Sequence, residues 1–212
     1  MNGTNYGSSP LPVAAWSGRL LLLFVLLASA LPAWSQAKIG QPAPEFAVKD
    51  INGRTHKLGD YRGKVVVLEA FNPTCPFCLN HYKTGAMPGL QGATVNKGVV
   101  WLVVNSLPAG NPGHRAPEAA QKDFASLGMK ASALIDDSSG ALAKLYGMTT
   151  TPQVFVINAQ GVLAYQGAVD DRADSKADPR TAKSYVRSAI ESLLTNRPVP
   201  TAETKPYGTP LK

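Results

Sequence analysis

Apolar residues follow two rhythms along this chain, and the points where the rhythm changes predict its elements. In "PAPEFAVKDINGRTHKL", residues 42–58, two short alternating runs flank Asn52-Gly53, a pair that accepts positive φ, so a β-hairpin is expected. "KVVVLEAF" (64–71) and "GVVWLVVNS" (98–106) are nearly unbroken apolar runs, as strands of a parallel sheet covered on both faces require. Between them, residues 76–84 read as a helix that resumes to residue 95 past Gly85 and Pro88.

Beyond the second strand, the loop "LPAGNPGHRAPE" leads into a helix over 117–127, with Pro117 in its first turn and Gly128 as terminator. "ASALID" predicts a third short strand. "SSGALAKLYG" predicts a helix capped by Ser138 or Ser139 and ended at Gly147. "TPQVFVINAQGVLAYQG" predicts a hairpin: Val154–Asn158, a turn at Ala159-Gln160-Gly161, then Val162–Gly167. Residues 179–195 form an amphipathic pattern with Tyr185, Ile190, Leu193 and Leu194 inward, and the Pro-rich segment after them reads as extended. Strands and helices that alternate, then a hairpin, then a helix, predict a three-layer α/β domain with a mixed central sheet.

Composition agrees with that picture: 44% hydrophobic and 17% charged residues suit a globular core. The formal net charge of +7 comes from bases scattered singly, so no nucleic-acid partner is expected. The first 37 residues stand apart. Arg19 precedes "LLLLFVLLASALPAW", a run too short for a comfortable span of about 20 residues, and small residues follow at signal-peptidase spacing, Ser35-Gln36-Ala37 or Ala28-Ser29-Ala30. The reading is a signal peptide over 1–37, a domain over 38–196 and a tail over 197–212, in a periplasmic protein. An uncleaved anchor is the alternative, and it alone would bring a membrane contact. Residues 1–37 hold one base and no acid, so the mature chain carries 20 bases, 14 acids and a net +6.

Export changes what the chain's two cysteines mean, because a disulfide persists outside the cytosol. Cys75 and Cys78 close too short a loop to act as a useful staple. Zinc needs four ligands, and the chain adds only His56, His81 and His114 and no second CxxC, so no metal or other cofactor is expected. A copper or zinc clip through His81 is the alternative; otherwise His81 is a surface or half-buried helix residue. A redox pair fits best. Cys75 falls where a buried strand gives way to a helix, whose unpaired N–H groups and positive dipole end favour a thiolate. Pro76 withholds one N–H donor and Phe77 supplies one. Cys78, one turn on, can reach the sulfur of Cys75 and resolve a mixed disulfide. The scheme needs the two sulfurs close together and open to a visiting protein.

With these residues in place, the chain resembles the thioredoxin-like redoxins, a superfamily that holds TlpA-like thiol–disulfide oxidoreductases and AhpC/TSA peroxiredoxin domains. "IGQPAPEFAVKDINGRTHKLGDYRGKVVVLEAF" is similar to their opening hairpin and first core strand, "CPFC" to their CxxC site, "TTTPQVFVI" to the cis-proline segment, and "NAQGVLAYQG" to the closing hairpin. The resemblance implies a redox disulfide between Cys75 and Cys78. It implies a cis Thr151-Pro152 peptide whose Thr151 backbone pairs with an extended substrate, Pro76 and Phe77 being the other substrate contacts. An ordinary trans proline is the alternative. Glu69, six residues before Cys75, matches the buried acid of thioredoxins. Alternation puts it on the face of Val65 and Val67, beneath Cys78, where burial would raise its pKa and suit it to shuttling the Cys78 proton. A Glu turned to water or paired with a Lys is the other reading.

The departures matter as well. Thr74 stands where thioredoxins have Trp, and no Thr lies three residues before either cysteine, against the peroxiredoxin pattern. "FNPTCPFCLNHY" and "TKPYGTPLK" are similar to a redoxin subgroup that often keeps a cysteine in the tail, where this chain has Thr209, so third-cysteine chemistry is excluded. The expected activity is exchange with protein thiols or disulfides, served by an upstream redox donor or acceptor protein. A thiol peroxidase and a non-enzymatic metal-binding module are the alternatives. The direction of electron flow is open.

Overall fold

The computed structural model describes residues 36–211, together with residues 1–4 and 7; the expected signal segment lies almost wholly outside them. The chain divides into two units, Met1–Ala33 and Trp34–Lys212, and the second holds every element below. Among the described residues, no helix is long and apolar enough to cross a membrane.

The expected opening hairpin is β1 (Ala47–Lys49) against β2 (Thr55–Lys57), turned at Gly53 with φ of 81°. Next come β3 (Val66–Ala70), α1 (Pro76–Lys83), α2 (Ala86–Val95), β4 (Val100–Asn105), α3 (Pro117–Ser126), β5 (Ala133–Asp136) and α4 (Ala141–Tyr146). The two-residue strand β6 (Thr150–Thr151) precedes β7 (Gln153–Ile157) and β8 (Leu163–Gly167), then α5 (Tyr185–Leu194) and β9 (Thr209–Pro210). The central sheet has the order β5-β4-β3-β7-β8, with β3, β4 and β5 parallel and β7 and β8 antiparallel. This is the mixed sheet that the pattern predicts.

Both faces of that sheet are buried, which is why β3 and β4 lack polar alternation. Val65, Val67, Trp101, Val103, Val154 and Val156 face one layer, with Tyr82, Met87, Leu90, Val186 and Ile190 from α1, α2 and α5. Val66, Leu68, Leu102, Val104, Phe155 and Ile157 face the other, with Phe46 and Leu58 of the N-terminal segment and Leu142 and Tyr146 of α4. Gly85, at φ of 77°, separates α1 from α2, and Pro88 falls in the first turn of α2, where a missing N–H loses no helical bond.

Three local expectations need correction. Ser138 does not cap α4, and Ser139 reaches it only through its Oγ, which accepts Ala141 N–H at 3.3 Å. Gly140 reverses the chain at φ of 69°, and Asp137 reaches back to accept Leu142 N–H and Ala143 N–H, each at 2.9 Å, while its carboxylate also takes the Ser106 hydroxyl at 2.7 Å. The last helix starts at Tyr185, with Ser184 as its cap, because Pro179–Thr181 forms a separate 3-10 turn. That break resets the register, so the fully buried stripe is Val186, Ala189 and Ile190, while Tyr185, Leu193 and Leu194 are half-buried beside it.

The tail is extended, as expected, and it packs on the domain. Gln166 pairs with its backbone on both sides: its N–H reaches Ala202 O at 3.0 Å, and its carbonyl accepts Thr204 N–H at 3.1 Å. Farther on, β9 pairs antiparallel with β6, Thr151 opposite Thr209 and Thr150 opposite Pro210.

Candidate active site

The site is built where β3 ends and α1 begins. Asn72 folds the connecting turn: its side-chain Oδ1 accepts both Thr74 N–H and the Thr74 hydroxyl, at 2.8 and 2.7 Å, and its carbonyl accepts Cys75 N–H at 3.0 Å. Cys75 is thereby placed as the N-cap of α1, with Pro76 as the first helical residue. Its Sγ accepts Cys78 N–H at 3.5 Å, so the two cysteines lie one turn apart on the same helix end. Both carry free thiols.

Two sets of groups compete over the Cys75 proton. The Cys78 side chain contributes most to holding a Cys75 thiolate, burial opposes it, and the Thr209 side chain, the Cys78 N–H and Thr151 add to the first; together they bring the Cys75 pKa down to about 4. The Thr151 carbonyl stands on the other side. It lies 2.9 Å from Sγ and accepts the thiol proton, but it would face a thiolate acceptor to acceptor. The donors outnumber it, so the thiolate is the favoured form. Cys78 goes the opposite way: complete burial and the neighbouring Cys75 push its thiol well above the ordinary value. Their surroundings thus favour the thiolate at Cys75 and the thiol at Cys78.

Glu69 lies on the predicted face, fully buried, and is not turned to water. Its Oε1 accepts the Tyr82 hydroxyl at 2.7 Å, and its Oε2 accepts Gln91 Nε2 and Trp101 Nε1 at 3.0 and 2.8 Å. Burial raises its pKa to about 7 against the opposing pull of those donors. The charge of Glu69 also contributes to the raised Cys78 pKa, so the two groups sense each other. Gln91 is itself held, donating to the Tyr82 oxygen at 2.8 Å and accepting Lys130 N–H at 2.9 Å.

Thr151-Pro152 is a cis peptide, with the Thr151 carbonyl against Cys75 as described. Pro76 opens α1, and Phe77 is half-buried with its ring 5.6 Å from that of Tyr207. His81 differs from its expectation: it is buried, neither at the surface nor half-buried. Tyr207 donates to Asp170 Oδ1 at 2.5 Å, and the Tyr207 oxygen lies 3.2 Å from His81 Nε2. Burial lowers the His81 pKa, which keeps the ring neutral. His56 bonds to Asp50 and Tyr61, and His114 to the Leu107 carbonyl, so the three histidines have separate partners. Among the described residues, no group of three or more His, Cys, Asp and Glu side chains is placed to hold a metal.

The openness expected of the nucleophile is not found. Cys75 is 0% exposed and Thr151 1%, because the tail crosses the site. Sequence reasoning named neither that cover nor the three donors around Glu69. Tyr82 had a signal, since it follows Cys78 by four residues and so shares its helical face. Gln91 and Trp101 had none that a local pattern carries.

A cysteine at a helix N-terminus, a second cysteine one turn on, a cis proline beside them and a buried acid beneath, all on a thioredoxin-like fold, define the class of thiol–disulfide oxidoreductases. Residues 39–166 match the model of the AhpC/TSA family, and the chain belongs to that family. It is 30% identical over 148 residues to the thiol-disulfide oxidoreductase ResA of Geobacillus thermodenitrificans, covering 67% of this chain and 78% of that one. Among solved structures, a hypothetical protein of Sinorhizobium meliloti 1021 shares the fold with a TM-score of 0.72 at 21% identity, over 84% of this chain and 96% of that one. A Chlorobium tepidum protein described as a thiol:disulfide interchange protein, DsbE, matches with a TM-score of 0.55 at 26% identity, over 75% and 99% of the two chains. The chain is thus an oxidoreductase of the redoxin superfamily.

Proposed function

We propose that this protein is exported and exchanges disulfides with the cysteines of other proteins through Cys75, with Cys78 as the resolving thiol and Glu69 as its proton acceptor. The observation that carries the reading is the opposite tuning of the two sulfurs, Cys75 down to about 4 and Cys78 upward.

In the reducing direction, the Cys75 thiolate attacks one sulfur of a substrate disulfide. A Cys75–substrate disulfide forms, the substrate's own S–S bond breaks, and the departing sulfur leaves as a thiolate that takes a proton from water. The Cys78 thiol then gives its proton to the Glu69 carboxylate and attacks the Cys75 sulfur. The Cys75–Cys78 disulfide forms and the second substrate sulfur is released as a thiolate. Two electrons have passed from the cysteine pair to the substrate. A Glu69 pKa of about 7 leaves a large fraction ionised near neutrality, ready to take that proton. The same steps reversed oxidise a substrate dithiol, and an upstream redox protein restores the pair in either case.

Residues 1–37 serve as the export signal in this reading, which puts the domain in the periplasm; N-terminal sequencing of the processed protein checks the cleavage point. The exchange itself is checked by trapping. The Cys78→Ser variant should accumulate a mixed disulfide with a disulfide-bearing peptide, joined at Cys75, and the Cys75→Ser variant should not. A chain that traps nothing through Cys75 contradicts the reading. The reduction potential of the pair then assigns direction: near thioredoxin's value of about −270 mV it reduces, and near DsbA's of about −120 mV it oxidises.

A further inference from the structure

The backbone edge at Thr150–Thr151, where an extended substrate would pair, is already occupied by the chain's own tail. Beyond the pairing of β9 with β6, Leu211 N–H donates to the Thr149 carbonyl at 2.9 Å, and the Thr151 hydroxyl donates to the Thr209 carbonyl at 3.3 Å. Gly208 makes the crossing possible: at φ of 131°, a Cβ there would lie 2.0 Å from the Thr151 carbonyl oxygen, so only glycine fits over that group. The tail is anchored on its approach. Thr204 Oγ1 accepts Ala168 N–H at 2.9 Å, and Tyr207 is held by Asp170 with its ring tilted 53° against that of Phe77.

The occupant fits the edge imperfectly. The Thr150 hydroxyl oxygen is buried without a hydrogen-bond partner, which is unfavourable. The pairing itself is two residues long. A short strand with an unsatisfied polar group beneath it is poised for exchange with a better one, as in β-strand addition at a sheet edge.

We propose that residues 203–211 form a built-in stand-in for substrate, closing the reduced site until an extended, disulfide-bearing segment of a partner protein displaces β9 from the Thr150–Thr151 edge. This rests on the exchange reading above and adds its gate. Small thiols, which cannot pair with a strand edge, would be poor substrates.

The test uses the full chain and its Tyr207→Ala/Gly208→Val variant, which removes the anchor and forces a side chain into the Thr151 carbonyl. Two rates are measured: alkylation of Cys75 by a bulky maleimide, and disulfide exchange with a disulfide-bearing peptide. Opening the gate should raise both by about tenfold or more, since reaction no longer waits on a local opening. A synthetic peptide spanning residues 203–211, added in trans, should slow the variant again. Equal alkylation rates in the two proteins overturn the gate, even if both exchange disulfides. Faster alkylation with no exchange in either protein leaves the cover in place and removes the oxidoreductase reading instead. Should the variant not fold, hydrogen exchange on the Cys78→Ser chain decides. The Leu211 amide should be protected in the free protein and exposed in its trapped mixed disulfide with the peptide; protection in both states overturns the proposal.

Discussion

Replacing Glu69 by Gln keeps the size of the side chain and removes its charge. In the folded protein the carboxyl is fully buried, and its pKa rises from 4.5 to about 7 because burial outweighs the donors from Tyr82, Trp101 and Gln91. The folded chain therefore binds this proton more tightly than the unfolded chain does. The stability linked to it is fully present below about pH 4.5, falls as pH rises through that interval, and is gone above about pH 7. A rise of that size corresponds to about 3 kcal/mol. Glu69→Gln abolishes the pH-dependent part, whatever fixed penalty arises from aiming an amide N–H at existing donors. Urea unfolding below about pH 4.5 and above about pH 7 reads the difference. With a slope of about 2 kcal/mol per molar, the wild-type midpoint should fall between the two conditions by about 1.5 M more than the variant's. The same pH dependence in both proteins would refute the buried, proton-holding carboxyl. Unchanged rates of reduction and oxidation in the variant would refute its part in resolution.

Three further substitutions probe the frame around the sulfurs. Trp101→Phe removes the 2.8 Å donor to Glu69 Oε2, so the carboxylate is less favoured and the inflection it gives to the exchange pH profile should move upward; an unmoved inflection contradicts the assigned donor. Gly113→Ala puts a Cβ 2.4 Å from both Asn72 Oδ1 and Leu107 Cδ1, so thermal unfolding should show a loss of about 1–3 kcal/mol, with slower exchange as the turn before Cys75 shifts. A neutral result would mean that the loop at Gly113 does not press on that turn. Asp137→Ala strips the acceptor from Leu142 N–H, Ala143 N–H and the Ser106 hydroxyl, and should lower stability by about 1–3 kcal/mol, with partial recovery in Asp137→Asn. No change in denaturant midpoint would reject the cap.

Much of this architecture is legible in the chain because its signals are local. β3 and β4 announce their double burial by unbroken Val-rich runs, and Asn52-Gly53 and Gly161 mark the two hairpin turns. Cys75 is placed by the strand-to-helix boundary and Glu69 by strand alternation, and both stand where those rules put them. Misreadings arise where contacts are distant or the local signal is ambiguous. Two serines look like caps for α4, yet Asp137 wins because Gly140 turns the helix start back toward it. The stripe on α5 shifts because a 3-10 turn interrupts what reads as one continuous period. The tail is the largest omission. Tyr207, Gly208 and Thr209 lie more than fifty residues beyond the cis proline, and nothing in a Pro-rich extended segment says which strand edge it will meet.

The most direct test of the account follows the ultraviolet absorbance of the Cys75 thiolate across pH in the reduced protein, with Cys75→Ser subtracted. The helix end and the surrounding donors predict a midpoint of about 4. A midpoint near the free-thiol value of about 8.5 would mean that Cys75 is an ordinary buried cysteine, and the exchange chemistry built on it would fall.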